Sequence, residues 1–460
     1  MLKKFILLIL VSAAAMFSCR LAGLNMHQSL AVGILISSVL GTMFFWDFRL
    51  SFAFLGLSIL LLTKTIDIEN AIKFASLEVI LFLVGMMIIV GLLKESGFFA
   101  WIVSLILRVR KLTANKFIIT ISLLSALLSM MTSEVVSIIF MVAAILEICD
   151  YFEVEPTPFI IIAVMATNIG SAGTLLGNPI GILIATKAGL TFEDFLIKAL
   201  PLSLVCLAAM LFIVVFWFRK AMAELDSRIK ELGANEILIK LISVPPEKDL
   251  KISLGIFWLT LLLIGLHHRF EMMLGLEANT MLLTMPLLSA GAIMIWKWKR
   301  ARSYVEHDVE WWTLLFFMML FAQAGTLKYT GASDVLAQQL ISWAGYNMNK
   351  LIGAVVWLGT FGSALLDNVV LVAAFIPVIQ GLQSIGSRIE PLWWALLFGG
   401  CLGGNITFIG STANIVALGI LEKERNIKVT FCKWIGIGLV IGTITTLIVW
   451  LALMFIPFYQ

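Results

Sequence analysis

The second half of this chain repeats its first half. Three landmarks return in the same order, the first two at a common offset and the third after a slip of one residue, and this agreement over a long stretch indicates a duplication. Each landmark carries glycine or polar residues in an apolar setting. Duplicated halves with such breaks are typical of secondary transporters in membranes. The matched segments are Gly91–Gly97 with Gly325–Gly331, Ser129–Val136 with Ser363–Val370, and Gly170–Gly177 with Gly403–Gly410.

The composition is that of a membrane protein. Hydrophobic residues make up 61% of the chain and charged residues only 13%, which leaves too little charge to cover a soluble protein of this length. Apolar runs long enough to cross about 30 Å of hydrocarbon recur throughout. The five cysteines stand singly and match no zinc, iron–sulfur or disulfide pattern. The sequence predicts an all-α polytopic membrane protein with no cofactor and no nucleic-acid partner.

Four segments follow from the pattern of apolar runs. Residues 1–28 form an N-terminal helix, which we interpret as an uncleaved first helix or signal-anchor in preference to a signal peptide, because the segment has no convincing small-x-small cleavage site. Residues 29–218 form the first repeat, 219–250 a polar linker, and 251–460 the second repeat. The predicted elements are 29–46, 50–64, 76–94, amphipathic 98–111, hairpin 116–149, broken span 157–188 and 199–218, then 251–270, 280–298, 311–328, amphipathic 333–345, hairpin 350–385, broken span 391–420 and 432–456.

The two hairpins set the topology. Each is an apolar stretch interrupted midway by polar residues, Thr132-Ser133-Glu134 in the first and Asp367-Asn368 in the second. A charge at mid-bilayer is costly and should face protein or water, so we expect two half-length helices that meet in a re-entrant loop. Each half then has five full crossings. Because five is odd, the halves point in opposite directions, and the chain has about 11 transmembrane helices in two inverted repeats.

The basic residues support this orientation. With the N-terminus in the cytoplasm, 23 of the 32 Lys and Arg residues fall on the inner side and nine on the outer side. This split obeys the positive-inside rule. It predicts a multi-pass protein of a bacterial-type plasma membrane, with the linker 219–250 in the cytoplasm.

Polar groups at membrane depth are concentrated in the two hairpin tips and the two broken spans. Glycines there let the chain leave the helix and expose carbonyl groups, while Asn, Ser and Thr add oxygen ligands. Helix N-termini at the same breaks favour an anion, whereas carbonyls beside a carboxylate suit Na⁺ or a proton. Close packing of small residues and a merely structural protonated carboxyl are the alternatives. The candidate binding residues are Ser133, Glu134, Asn168, Gly170, Thr174, Asn178, Asp367, Asn368, Asn405, Thr407, Ser411 and Asn414, with Na⁺ at Glu134, Asn168, Asp367 and Asn405.

At these motifs the chain resembles the ion transporter superfamily, with its citrate-transporter-like fold. It is most similar to the branch that holds arsenite permeases, D-type Na⁺/H⁺ antiporters and the P protein. The segments that carry the resemblance are Asn168–Pro179, Ser363–Ile379 and Trp393–Glu424. The resemblance implies a dimeric, elevator-type secondary transporter in which the hairpins and broken spans form the mobile domain. It implies that the site lies between the two tips and the two broken-span loops.

The tips depart from the family patterns. The dicarboxylate branch has Ser-Asn-Thr at both tips, whereas this chain has Ser133-Glu134-Val135 and Asp367-Asn368-Val369. Acidic groups repel a dianion and attract a cation or take up a proton. The antiporter branch often has Asp-Asn at the first tip and an Asn where this chain has Gly181, so the first half of the site is atypical.

Three hypotheses follow. The first is a Na⁺/proton antiporter that moves small inorganic ions and uses Na⁺ and/or H⁺ as coupling ions. The second is a proton-coupled permease for arsenite or another small anion or carboxylate. The third, a membrane receptor or enzyme without transport, has no nucleophile–base pair, nucleotide loop or soluble catalytic domain in its favour, and we expect no enzyme. The expected partners are the transported ion, membrane lipid and a second copy of the chain.

Overall fold

The computed structural model describes residues 2–45, 48–98, 101–102, 104, 112–232, 248–345, 347–384 and 389–459. Every regular element within these ranges is helical. Most of the predicted amphipathic stretch 98–111 and residues 233–247 of the predicted linker lie outside them. In this described part of the chain, eight helices are long and apolar enough to cross a membrane, or up to 10 if each of two bent pairs is one span. The prediction of an all-α polytopic membrane protein is confirmed, whereas the figure of about 11 helices stays a prediction.

The first half and the linker supply eleven helices to the described part of the chain. They follow the predicted order, and the predicted N-terminal helix is present and packs against the next one. Short helical turns at Phe192–Asp194 and Phe195–Ala199 lead into α10. The helices are α1 (Leu2–Leu21), α2 (Met26–Phe44), α3 (Arg49–Leu62), α4 (Ile68–Phe74), α5 (Leu77–Glu95), α6 (Ala114–Met131), α7 (Glu134–Phe152), α8 (Thr157–Ser171), α9 (Pro179–Ala188), α10 (Leu200–Trp217) and α11 (Arg219–Leu232).

The second half follows the same order, with two sharp bends. Its first predicted span bends by 63° between α12 and α13, and its second bends by 104° after α14. Short turns at Trp298–Arg300, Ala301–Ser303 and Tyr304–Asp308 follow that second bend, and Pro457–Tyr459 follows the last helix. The helices are α12 (Lys248–Gly265), α13 (His267–Leu274), α14 (Thr280–Trp296), α15 (Trp311–Tyr329), α16 (Ala332–Ala344), α17 (Met348–Leu365), α18 (Asn368–Ser384), α19 (Glu390–Gly403), α20 (Thr412–Arg425) and α21 (Phe431–Phe455).

The hairpins form at the predicted breaks, but their limbs are longer than half-length helices. Helices α6 and α7 have 18 and 19 residues, and α17 and α18 have 18 and 17, so each limb is about 26–28 Å long. The half-length prediction is therefore wrong, because the apolar run on each side of the polar tip continues the helix over nearly its full extent. A hairpin adds either no crossing or two, so the odd count of crossings in each half does not depend on this length.

The helices of the two halves are interleaved. Helix α5 of the first half packs against α12 and α14 of the second, and α15 of the second half packs against α2, α3 and α4 of the first. A second group consists of the hairpins and broken spans, in which α7 packs on α20 and α9 packs on α18. Each of these contacts therefore joins one half of the chain to the other, and neither half provides a complete site by itself.

The linker helix α11 holds the base of the first hairpin. It packs against α6 and α7, and the Asp226 carboxylate accepts a hydrogen bond of 2.7 Å from the Ala114 amide at the start of α6. Met222, Leu225 and Ile229 on its apolar face are buried. An amphipathic helix that follows α10 in this way is tied to the hairpin and does not simply bridge the halves.

Hydrogen bonds between hairpins and broken spans recur in both halves. The Ser129 hydroxyl donates to the Thr167 carbonyl at 2.9 Å, and the Ser363 hydroxyl donates to the Gly400 carbonyl at 2.6 Å. Ser129 and Ser363 are equivalent at the offset of the first two landmarks, and Thr167 and Gly400 are equivalent at the offset of the third landmark, which is one residue shorter. Hydroxyls that satisfy helix carbonyls across a buried contact fix the rotation of one helix on the other. The inverted repeat stays a prediction that these matched bonds support.

A second matched pair joins each broken-span loop to a hairpin tip. The Thr174 hydroxyl donates to the Met130 carbonyl, and the Thr407 hydroxyl donates to the Ala364 carbonyl. Both acceptors lie in the last turn of the first limb of a hairpin, where helix carbonyls have no partner within the helix. The threonine of the repeated Gly-x3-Thr-x2-Gly pattern therefore satisfies a helix-end carbonyl of the neighbouring hairpin in both halves.

We predict that Thr174→Val and Thr407→Val each lower the free energy of unfolding by about 1–3 kcal/mol, because each leaves a buried carbonyl without its donor. Thermal unfolding of purified protein in one detergent measures the loss. Thr186→Val is the matched control, because that hydroxyl bonds only to carbonyls of its own helix. A large loss in only one of the two test variants would contradict the equivalence of the two loops.

We also predict that Gly170→Ala destabilises the protein by about 1–3 kcal/mol or more. A methyl group there would lie 2.5 Å from the Cα and carbonyl oxygen of Ala126, so α6 would have to move away from α8. Gly291→Ala is the control, because nothing lies within 4 Å of its added Cβ in α14 and alanine favours the helix. The shift in melting temperature decides, and equal behaviour of the two variants would overturn the prediction.

Candidate ion-binding site

The two hairpin tips meet through Glu134 and Asn368. The Asn368 amide donates to both carboxylate oxygens of Glu134, at 3.3 and 3.5 Å. Glu134 is 3% exposed and Asn368 is fully buried. The two residues occupy equivalent positions of the repeat, so the same point of each half touches its counterpart. The site therefore contains residues of both repeats at the place where their breaks converge.

Glu134 lies near the Asp367 carboxylate and beside neutral groups of both broken-span loops. The hydroxyls of Ser171 and Ser411 interact with its carboxylate, and its own amide donates to the Gly177 carbonyl at 3.0 Å. The carboxylate stands in the first turn of α7, where the helix dipole favours a negative group. The dipoles of the two serine hydroxyls and of α7 therefore favour the orientation that the Glu134 carboxylate has in the structure.

Asp367 completes the second tip. One of its carboxylate oxygens accepts a hydrogen bond of 2.7 Å from the Thr412 hydroxyl and the other accepts one of 3.1 Å from the Val369 amide. It is 4% exposed. Ser133, at the equivalent position of the first tip, instead caps α7 by accepting from the Val136 amide at 3.3 Å. The charge of the second tip thus corresponds to a hydroxyl in the first.

Three asparagines join the two broken spans. The Asn168 amide donates to the side-chain oxygens of Asn405 and Asn414, each at 2.9 Å. The Asn414 amide donates in turn to the carbonyls of Gly404 and Thr407, at 2.7 and 3.0 Å. The Asn168 side-chain oxygen is buried, and no hydrogen-bond partner for it occurs among the described residues. A buried amide oxygen in this state is a ready ligand for a cation or a water molecule.

A second group of polar side chains is joined to the site through Ser171. The Asn178 amide donates to the Ser171 hydroxyl at 2.9 Å and to the Cys401 sulfur at 3.1 Å, while the Asn178 oxygen caps α9 by accepting from the Gly181 amide at 2.9 Å. Cys401 is the counterpart of Asn168 in the second broken span. Residues that precede one break therefore contact residues that follow the other, in both directions.

The structure brings most of the predicted residues together and gives two of them a different position. Gly170 faces the backbone of Ala126, and the Thr174 hydroxyl is bound to the Met130 carbonyl. Both therefore shape the wall of the first loop. Thr407 has the equivalent bond in the second loop, while its carbonyl accepts from Asn414. The binding role of all these residues stays a prediction.

Four residues that are not in the predicted candidate set also lie at the site. Ser171 and Thr412 stand inside the polar segments, and Cys401 is marked by its match with Asn168. Arg49 could not be found in this way, because α3 is remote in sequence. It is 3% exposed, interacts electrostatically with Asp367 and donates to the Thr313 hydroxyl at 3.4 Å. Its guanidinium also lies 4.8 Å from the centre of the Phe316 ring.

The donor set suits a hard cation or a proton. Among the described residues, no three His, Cys, Asp or Glu side chains are grouped so that they could hold a metal ion. Carboxylate, amide, hydroxyl and carbonyl oxygens dominate the site, and such oxygens are preferred by alkali and alkaline-earth ions. The single thiol is a minor part of it.

Comparison with known proteins gives the family. The model of the CitMHS family, described as citrate transporters, matches residues 41–399. An uncharacterized transporter of Mycobacterium tuberculosis (strain ATCC 25618 / H37Rv) is 30% identical, over 80% of this chain and 83% of that protein. The human P protein is 27% identical over 78% of this chain and 51% of its own length, so the chain spans about half of it. A Synechocystis uncharacterized transporter is 23% identical over 89% of this chain and 93% of that protein.

The family match spans both hairpins, the first broken span and most of α19. It agrees with the resemblance to the ion transporter superfamily and to the branch with the P protein. The chain belongs to the CitMHS family of transporters.

Proposed function

We propose that this chain is a cation/proton antiporter that exchanges Na⁺ for H⁺ at the meeting point of its hairpin tips. The observation that supports the proposal most is the pair of buried carboxyl groups, Glu134 and Asp367, in tips that contact each other through Asn368. Two carboxyl groups in a buried site lined mainly by neutral dipoles are stable only when protons or cations accompany them. Exchange of one for the other is the reaction that such a pair can perform.

Each residue has a role in this proposal. Glu134 and Asp367 hold the proton or the cation, and Asn168, Asn405 and Asn414 offer amide oxygens to a cation that has lost its water. The hydroxyls of Ser171 and Ser411 lie beside the Glu134 carboxylate, and the Thr412 hydroxyl donates to the carboxylate of Asp367. The Asn168 oxygen that lacks a partner among the described residues supplies the first ligand.

In this proposal, Arg49 balances the negative charge of Asp367 when no Na⁺ or proton is bound there. Its buried guanidinium acts on Asp367 from α3, which packs in the other group of helices. A resident cation of this kind competes with a transported cation for the same carboxylate. Movement of the second hairpin relative to α3 would then exchange one positive partner for another.

We predict that Glu134→Gln and Asp367→Asn each reduce Na⁺-driven proton movement by about 100-fold or more, because the proton-carrying group is lost. Purified protein in sealed vesicles with a pH-sensitive dye measures it. Glu147→Gln is the matched control, since that carboxylate stands on α7 with Glu134 but is exposed. A wild-type assay that stays silent from about pH 6 to 9 would refute antiport, and full activity of both test variants would refute the site.

We predict that Asn168→Ala raises the KM for Na⁺ about tenfold, the loss of ~1.4 kcal/mol of binding, with a smaller effect on the maximal rate. The amide supplies one cation ligand and holds Asn405 and Asn414. Initial rates over a range of Na⁺ concentrations separate the two parameters. Asn349→Ala, at an exposed position of α17, controls for non-specific loss, and a changed rate with an unchanged KM would contradict a ligand role.

A proton-coupled permease for a small anion, including arsenite or a carboxylate, is the second candidate. The family description names citrate, and the helix N-termini of α7, α9, α18 and α20 converge on the site, which favours a negative group. The two carboxyl groups would then carry the coupling protons. A flux screen over Na⁺, Li⁺, arsenite, citrate and dicarboxylates separates the candidates, since Na⁺-independent uptake of an anion with protons would replace the antiport proposal.

The proposal includes the setting of the protein. We propose a homodimer in the plasma membrane, in contact with lipid, with the N-terminus in the cytoplasm. The positive-inside distribution of Lys and Arg supports the orientation. In a Cys19→Ser background, which removes the partly exposed thiol at the outer end of α1, labelling of the exposed Cys432 by a membrane-impermeant thiol reagent should require inside-out vesicles. Labelling of that variant in intact cells would reverse the orientation.

A further inference from the structure

Away from the two tips, a cavity of about 150 Å³ is lined by three lysines, Lys73, Lys187 and Lys328. They come from α4, α9 and α15, three helices that are distant in sequence. None of the described residues that line the cavity is acidic. Lys73 and Lys328 are exposed and the Lys187 side chain is 28% exposed, so the cavity is open to solvent, and three positive charges around it attract an anion.

Among the residues that the structure describes, one of these three lysines has an acidic partner. Lys187 forms an ion pair of 3.0 Å with Glu78, which is 42% exposed and lies outside the lining. Lys328 donates to the neutral Gln380 amide oxygen at 3.2 Å. The Asp67 carboxylate caps the opposite end of α4 from Lys73 and accepts two hydrogen bonds of 2.8 Å from Asn70.

A helix N-terminus adds to the same field. Ser76 lines the cavity and precedes α5, with a left-handed backbone at φ 52°. Its side chain does not cap the helix and instead donates to the Phe74 carbonyl at 3.4 Å. The start of a 19-residue helix therefore meets the cavity without a side-chain cap, and helix N-termini bind anions.

Helix-end preference accounts for each lysine singly. Lys73, Lys187 and Lys328 all stand in the last turn of their helices, where a positive charge offsets the dipole. That preference does not explain why three such ends converge on one cavity beside the start of α5. Convergence brings a repulsion that a bound anion removes.

We propose that this cavity binds an anionic group, a phosphate or a carboxylate. A volume of about 150 Å³ is several times the ~30 Å³ that one water occupies in the liquid, enough for a group of this size. Phe74, Phe321 and Ile376 form apolar walls, which suit an anion with an apolar part. The source is a soluble anion or the headgroup of an anionic lipid, because both present the same chemistry.

An occupant would act on the contact between the two groups of helices. Lys187 joins α9 to α5 through Glu78, and Lys328 joins α15 to α18 through Gln380. A bound anion draws both ammonium groups toward itself and so weakens both links. This inference is independent of the Na⁺ proposal, because it concerns a second site.

The test is binding to the purified full-length chain. Melting temperature is measured in detergent with inorganic phosphate against chloride at equal ionic strength, and in lipid nanodiscs with phosphatidylglycerol against phosphatidylcholine. We expect a rise of about 2 °C or more in wild type and its loss in Lys73→Gln/Lys328→Gln. Lys350→Gln, an exposed lysine of α17, should keep the rise.

The outcomes are distinct. A lysine-dependent rise with phosphate assigns the site to a soluble anion, and a rise only with phosphatidylglycerol assigns it to a lipid headgroup. No rise in either arm, or a rise that the double variant retains, overturns the proposal. If the double variant fails to fold, the single Lys73→Gln change on the short, exposed α4 decides, and there we expect at least half of the rise to be lost.

Discussion

The contact between Glu134 and Asn368 is the interaction on which the rest of the site depends. A carboxylate at 3% exposure is tolerated only where dipoles, a proton or a cation meet it, and here the dipoles come from the second hairpin tip and from both broken-span loops. The second tip supplies Asn368, the first loop Ser171 and the second loop Ser411. The second tip and the two broken-span loops therefore each place a polar group beside the Glu134 carboxylate.

The halves share their backbone contacts and differ in the side chains at the site. Ser129 and Ser363 make the same bond, as do Thr174 and Thr407, because these bonds hold hairpins against broken spans and both halves need them. At the site the equivalent positions carry different chemistry, with Glu134 opposite Asn368. Two carboxylates in direct contact would repel each other at low dielectric. Placing an amide directly opposite the carboxylate gives it a donor, while the second carboxylate, Asp367, acts on it without direct contact.

Much of this architecture could be predicted from the sequence because its signals are local. Apolar runs, glycine-rich breaks and the polar pair Asp367-Asn368 mark spans, loops and a tip without any knowledge of packing. The apolar run on each side of a tip sets the length of each limb. Whether a limb of that length crosses the bilayer or turns back could not be predicted, since both cases have the same sequence pattern. Arg49 was missed for another reason. Arg49 comes close to Asp367 because α3 of the first half packs on α15, which in turn packs on the second hairpin. No spacing of residues in the sequence predicts this packing.

The lysine cavity and the site at the tips are joined by two helices that begin at one and end at the other. Helix α9 starts after Asn178 and carries Lys187 in its last turn, so the two ends are about 15 Å apart at the rise of an α-helix. Helix α18 starts at Asn368 and carries Gln380 past its proline. Helix α9 has no proline beyond its first residue, so a change in the Lys187 link would reach the first break along its axis. The proline inside α18 makes transmission from the Lys328 link less direct. Coupling of this kind requires an element with two arrangements, whose equilibrium both sites bias. That element is the contact between the two groups of helices, which the Lys187 and Lys328 links join at the cavity.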